Sequence, residues 1–334
     1  MDSQPKGIMT LGHVLVDGIG SASKAFLDRY GHLPSPIHID PEGMEELRAF
    51  LAGEGKGSGA DVSWSLGGGA AVAARTAGAL GFHAEVWASV GRDEGGRFLA
   101  EELAAAGVEA RFILSGKPTG LFCSLGTHEG ERKLIVSPGA ARDVRLVRIP
   151  SGAFRPGWVF HIDGLLIDEI LWLSSLAERA KAAGMVLSMD ISTEGNARTH
   201  GRALRDFAEK YCDLVFANEK EFEAMGGSPD PDADSGTAWV VKRGGRGAAL
   251  LRGGRWIEAA AFHREPVDDT GAGDVFSAGF LCARLEGRTG PECLRFGNAV
   301  AAAAIGYVGS TVPPEVLKRA FEDGSFASGN YNSI

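Results

Sequence analysis

The chain has 334 residues, with 34 Lys plus Arg against 43 Asp plus Glu and a formal net charge of −9 at pH 7. With 44% hydrophobic and 23% charged residues it has an ordinary globular composition, and its length suits one large α/β domain with an appendage, or two domains. The acidic balance argues against a nucleic-acid partner, which needs clustered Lys and Arg, and no apolar run is long enough to suggest a membrane span.

The first residues lack the basic start, apolar run and small-residue cleavage site of a signal peptide, so the cytoplasm is the expected location. Cys123, Cys212, Cys282 and Cys293 form no C-x-x-C pair and are expected to be buried thiols. The compositional oddity is glycine: 48 residues, about twice the average share. Such an excess at turns points to loops that wrap a ligand with main-chain groups.

In chain order, Ile8–Leu11 and Val14–Val16 read as an opening strand region. Gly67-Gly68-Gly69 opens an Ala-rich helix through Leu80. Glu85–Val90 is a strand, and Asp93 caps a helix that stops at Gly107. Arg111–Leu114, Leu121–Leu125 and Lys133–Val136 are β-like runs, the last two flanking the polar turn 127–131, and are expected to form a small separate sheet. Trp158–Ile162 (strand), Asp168–Ala183 (helix), Met185–Ile191 (strand), Leu214–Ala217 (strand), Glu219–Met225 (helix) and Trp239–Val241 (strand) follow, with a polar loop at 229–236. Gly273–Leu285, Pro291–Val308 and Pro314–Glu322 read as helices. The alternation predicts an α/β fold with a mostly parallel sheet covered on both faces.

The richest segment is Val267–Phe280, where Thr270-Gly271-Ala272-Gly273 turns into an apolar helix with Asp274 in its first turn. Unpaired amides and the helix dipole favour an anion there, and small residues let a phosphate approach closely. Asp274 is placed to accept a proton from a hydroxyl. The alternative is a helix start merely stabilised by an acid. Asn218 and Glu221 follow a strand at its carboxyl end, where ligands of open α/β sheets bind. They suit phosphate and water-bound Mg²⁺, or a solvated helix start. Lys242 and the glycines Gly244 and Gly247 follow another strand and suit a polyphosphate, or a basic hairpin turn. Gly12 and Asp17 frame the end of the first strand region, and Asp17 suits paired hydroxyls because a carboxylate accepts several hydrogen bonds. A nicotinamide-dependent dehydrogenase needs G-x-G-x-x-G after a strand, a spacing Gly67–Gly69 lacks.

Taken in order across nearly the whole chain, these elements resemble the ribokinase-like (PfkB) carbohydrate kinase family. Asp268 to Asp274 resembles its D-T-x-G-A-G-D signature, Asn218 and Glu221 its N-x-x-E motif, Gly67-Gly68 its glycine signature, and Gly12 with Asp17 its first substrate motif. The resemblance implies a single kinase domain over 1–334, a three-layer α/β/α core with a small β lid from parts of 12–66 and 108–137, and transfer of the γ-phosphoryl of ATP, with Mg²⁺, to an alcohol. It casts Asp274 as base and Gly271, Ala272 and Gly273 as anion hole, with Asp17, Gly67, Gly68 and the position of Val72 at the substrate. Lys242, Gly244 and Gly247 fall at the nucleotide phosphates, Asn298 near the adenine, Glu221 at Mg²⁺ through water, and Asp268 at a monovalent cation such as K⁺.

The sequence departs from the family pattern at three places. Val72 stands where the family commonly carries Asn, Asp190-Ile191-Ser192 replaces D-x-N, and Asp269 replaces a Thr. A sensor that keeps the fold without catalysis is the alternative that Val72 keeps open. The 50 residues from Asp17 to Gly67 resemble the adenosine kinase branch, so a sugar or nucleoside is expected, with a lean to nucleoside. Trp64 and Phe122 are candidates to stack on a base or to pack in the core. Homodimerisation through the lid is a further expectation.

Overall fold

The computed structural model describes residues 6–30, 36–51, 61–127, 132–227 and 236–324. Most of the polar turn at 127–131 and of the loop at 229–236 lies outside these residues. The strands are β1 (Gly7–Leu11), β2 (Leu15–Ser21), β3 (Ile37–His38), β4 (Asp61–Gly67), β5 (His83–Gly91), β6 (Val108–Ser115), β7 (Leu121–Gly126), β8 (Arg132–Ser137), β9 (Val159–Asp163), β10 (Val186–Asp190), β11 (Leu214–Asn218), β12 (Ala238–Lys242), β13 (Ala248–Arg252) and β14 (Arg255–Ala259). The helices are α1 (Lys24–Leu27), α2 (Pro41–Leu51), α3 (Gly69–Ala79), α4 (Glu94–Ala105), α5 (Ile170–Ala182), α6 (Glu194–Tyr211), α7 (Glu219–Ala224), α8 (Ala272–Leu285), α9 (Gly290–Ala304) and α10 (Pro314–Asp323).

Nine strands form the large sheet in the order β14-β13-β12-β11-β10-β9-β1-β5-β6. From β12 to β6 all neighbours are parallel, and β13 and β14 add an antiparallel edge. Strand side chains alternate between faces, so Ile8, Val159, Phe216 and Val240 pack under α3, α8 and α9. Met9, Phe160, Leu187, Val215 and Trp239 face α5, α6 and α7. Both faces are buried, which is why the central strands read as nearly continuous apolar runs.

The chain leaves β1 for β5 and β6 on one side and later returns to build β9 to β14 on the other. That reversal opens a crevice at the carboxyl ends of β1 and β9, the place where open α/β sheets bind ligands.

A second sheet has the order β3-β8-β7-β2-β4. Its Val16, Cys123, Leu125 and Ile135 pack on Phe26, Leu27, Met44 and Leu47 of α1 and α2. Its other face carries Asp17, with Ser65 and Phe122 directly beside it in register.

Two expectations are corrected. Arg111–Leu114 does not join the small sheet: it lies in β6, parallel to β5, because α4 is the crossover helix of a β-α-β unit. The small sheet takes β2 and β4 from the N-terminal segment instead. The opening strand region also divides, β1 entering the large sheet and β2 the small one, with Gly12–Val14 as the link. All four cysteines are buried and unpaired.

Phe216 is fully buried and meets His161 at 5.9 Å and Phe280 at 5.4 Å between ring centroids, so it joins the sheet to α8. Phe216→Ala is expected to lower stability by about 3–5 kcal/mol, read as a lower denaturation midpoint with unchanged denaturant dependence.

Candidate active site

Glycines set the acceptor side of the crevice. Gly67 ends β4 diagonally across from Asp17, and a methyl group there would run into the Asp17 carboxylate. Gly68 has φ of 86° and lies against the His13 carbonyl. A Cβ on Gly69 would stand 3.0 Å from Asp274 Oδ1. One run of three glycines therefore touches both carboxylates that the sequence singles out.

Asp17 is 7% exposed, and no described residue donates a hydrogen bond to it. Burial first, then the charges of Asp274 and Asp268, pushes its carboxyl up to about 8. Asp274 is half-buried in the first turn of α8. Burial and then Asp190 push its carboxyl up to about 7, against the pull of Lys242.

The turn before α8 has Gly271 at φ of 74°, in the left-handed region that glycine adopts without strain. The Ala272 amide bonds Asp269 O at 3.2 Å and the Asp274 amide bonds Gly271 O at 3.0 Å, whereas the Gly273 amide has no partner among the described residues. A Cβ on Gly273 would stand 3.2 Å from Lys242 Nζ, so a half-buried cation lies directly beside the turn. Val72 packs against the same turn, its Cγ1 3.6 Å from where a Cβ on Gly271 would sit, and presents only methyl groups.

Lys242 ends β12 and pairs with Asp190 Oδ2 at 2.6 Å. Burial alone would lower its pKa, but Asp190, Glu221 and Asp274 outweigh it and raise it. Ser277 Oγ donates to the same Asp190 oxygen at 3.1 Å. Lys242, Gly244, Gly245, Gly247, Ala272, Gly273 and Asn298 line a cavity of about 360 Å³.

Asn298 spends its amide group on the carbonyls of Ala259 and Ala260, both at 3.1 Å, and so holds the cavity wall. Asn218 and Glu221 form a reciprocal cap on α7: Asn218 N donates to Glu221 Oε2 at 2.8 Å and Glu221 N to Asn218 Oδ1 at 3.0 Å. Glu221 is buried, and burial followed by Asp190 pushes it up to about 7. Asp268 accepts from Thr270 Oγ1 at 2.8 Å and from Gly309 N at 2.7 Å, which ties the signature turn to the segment after α9.

The register separates the two aromatic candidates. Phe122 is beside Asp17 on the cleft face. Trp64 opposes Gly18, packs over it on the reverse face and is 40% exposed.

Sequence reading gave no role to Asp163 or His13 and met Asp190 only as the first residue of the Asp190-Ile191-Ser192 departure. Asp163 ends β9 at the switch point and accepts from His13 N at 3.1 Å, His13 Nδ1 at 3.2 Å, Leu165 N at 2.9 Å and Ser192 Oγ at 2.6 Å. Burial would raise it, but these bonds hold it down at about 2. The signal available was an acid at a strand's carboxyl end, the same rule that singled out Asn218.

The chain is 27% identical over 241 residues to a nucleoside kinase of Methanothermobacter thermautotrophicus, covering 70% of this chain and 76% of that one. It is 28% identical over 258 residues to an ATP-dependent ribose-1-phosphate kinase of Halopiger xanaduensis, covering 75% and 83%. The structure of adenosine kinase from Sinorhizobium meliloti superposes with a TM-score of 0.79 at 24% identity, covering 95% of this chain and 99% of that one, which shows a shared ribokinase-like fold. The model of the pfkB family carbohydrate kinases matches residues 30–316, and the chain belongs to that family.

Proposed function

We propose that this kinase transfers the γ-phosphoryl group of ATP to a hydroxyl of a nucleoside or sugar, with Asp274 as the general base. The observation that carries the reading is the position of Asp274. It stands between Gly69 of the acceptor-side glycine run and the α8 turn beside Lys242, so one carboxylate faces both the acceptor and the anion site. A base held up to about 7 is matched to proton transfer near neutral pH.

Asp17 orients the acceptor by hydrogen bonds to its hydroxyls. Asp274 takes the proton of the attacking hydroxyl as the oxygen bonds phosphorus and the bridging bond to the β-phosphate breaks. Gly273 N–H and Lys242 Nζ stabilise the charge on the group in transit, where catalysis is mainly positioning and electrostatics. The glycine-lined cavity, with a half-buried lysine at one end, fits a nucleotide and its phosphates.

Among the described residues no group of three or more His, Cys, Asp or Glu is arranged to hold a metal ion. That fits Mg²⁺, which is held largely by phosphates and water. Glu221 and Asn218 would meet it through water, and it would neutralise phosphate charge. Asp268 would supply one ligand to a monovalent cation beside the α8 turn. The small sheet would close over the acceptor as a lid. Phe122 on the cleft face supports a nucleoside over a simple sugar, and the nucleoside kinase relative points the same way.

Asp274→Asn is expected to lower the rate by at least about 10²-fold, the scale of general base catalysis, while nucleotide affinity is kept. ADP release measured over a panel of nucleosides, ketoses, aldoses and sugar acids checks this, and a fully active variant removes the base. Rates compared in potassium, sodium and bulky organic-cation buffers test Asp268, and equal rates dispose of the cation.

The raised carboxyls also act on stability. The folded chain keeps a proton on Asp17 up to about 8, whereas the unfolded chain loses it near the ordinary carboxyl value of 3.8. The unfolded state therefore binds fewer protons in this window, and stability falls as pH rises through it. The thermal midpoint of the wild type is expected to drop between pH 5 and 8.5 (about the span of these two values), and Asp17→Asn is expected to flatten the slope. A variant slope as steep as the wild type's counts against the buried proton.

A further inference from the structure

One backbone outlier in the crevice has no part in the chemistry described so far. Ser192, just after β10, has φ of 77°, the sole positive value at a non-glycine position among the described residues. An L side chain is disfavoured there, and glycine or asparagine sits more easily. Such a conformation persists where surrounding contacts fix it, and these cluster at functional sites. Helix capping does not account for it: the N-cap of α6 is Thr193, whose side chain accepts from the Asn196 amide.

Ser192 is fixed from both sides. Its amide donates to Asp190 Oδ1 at 3.1 Å and its hydroxyl to Asp163 Oδ1 at 2.6 Å. The other oxygen of Asp190 holds Lys242 Nζ at 2.6 Å. The other oxygen of Asp163 holds the amide and Nδ1 of His13, at 3.1 and 3.2 Å. An unbroken line of hydrogen bonds thus runs from the nucleotide cavity, at Lys242, to the acceptor side, where the His13 carbonyl lies against Gly68. The His13 side chain is 17% exposed. With Nδ1 engaged by Asp163, its Nε2 is bonded by no described residue.

We propose that Ser192 is a positioning residue for the acceptor: its hydroxyl fixes the Asp163 carboxylate, and through it turns His13 Nε2 toward the substrate hydroxyls beside Asp17. The strained backbone is what places that hydroxyl. With φ positive, the amide meets Asp190 and Oγ meets Asp163 from one residue. The arrangement also gives polar substance to an acceptor side that Val72 has left apolar. This inference rests on the kinase reading above.

Ser192→Gly separates the strain from the contact. Glycine accepts the positive φ, keeps the amide bond to Asp190 and loses only the hydroxyl. The variant is expected to unfold at a midpoint equal to or above that of the wild type. Its KM for the acceptor should rise about tenfold, the scale of one charge-assisted hydrogen bond, while KM for ATP stays within about twofold. Ser192→Asn tolerates the same φ and carries a side-chain donor, so it should restore most of the acceptor affinity. The probes are adenosine, cytidine and D-ribose, each with saturating ATP. An unchanged acceptor KM in the glycine variant overturns the proposal, as does a lower midpoint with both KM values rising in parallel. A wild type that phosphorylates none of the probes defeats the kinase reading and this inference with it. An active wild type with an unaffected glycine variant defeats this inference alone.

Discussion

Buried negative charge at the carboxyl end of the parallel strands is the constraint around which the site is built. Asp17, Asp163, Asp190 and Glu221 are each less than one-tenth exposed, and Asp274 completes the group. Lys242 is the half-buried cation set among them. Isolated charge in a protein interior is costly and must be paired, hydrogen-bonded or neutralised by a proton. The chain uses all three. Asp163 stays ionised on four hydrogen bonds. Asp190 pairs with Lys242. Asp17, Asp274 and Glu221 are pushed up toward the protonated form. His161, at the centre of the sheet below them, is pushed down to about 4 by burial and bonds Ser188 Oγ at 2.7 Å, so its own imidazole adds no positive charge to the group.

Backbone brings these groups together where side chains have no room. At Gly67 and Gly69 the limit is a carboxylate, and at Gly68 it is a carbonyl. The same economy operates at the α8 turn, where Gly273 lets the lysine approach and Gly271 supplies the left-handed bend. The glycine excess of the composition is thus partly a record of close approach between α3, α8 and the two sheets.

The central strands were legible because burial on both faces leaves an uninterrupted apolar run, as in Val159–Asp163 and Leu214–Asn218. The signature turn was legible because its chemistry is local. Arg111–Leu114 was misplaced because an apolar run does not name its partner, and only the crossover helix before it selects β5. The 18-residue α6 went unread. Its polar surface hides a narrow stripe, Ala197, Leu204, Phe207, Ala208 and Tyr211, at helical spacing. Asp163 and His13 are 150 residues apart, and Asp190 and Lys242 are 52 apart. Pairs at that separation are made by topology, and nothing in either local segment announces them.

The two carboxyls approached by Gly67 and Gly69, Asp17 and Asp274, differ in their surroundings rather than in their chemistry, which is identical. Both are raised by burial, but their charged neighbours differ. Around Asp274 the acids Asp190, Asp163 and Glu221 push up while Lys242 pulls down, whereas around Asp17 the acids Asp274 and Asp268 push up with no cation against them. The proposed mechanism gives Asp274, which has a cation beside it, the role of base, and Asp17 that of binding the acceptor. Two titratable groups whose environments set their pKa values apart take separate roles as base and binder. In that proposal the lysine beside Gly273 both steadies the phosphoryl group and tempers the rise of the base that activates its acceptor.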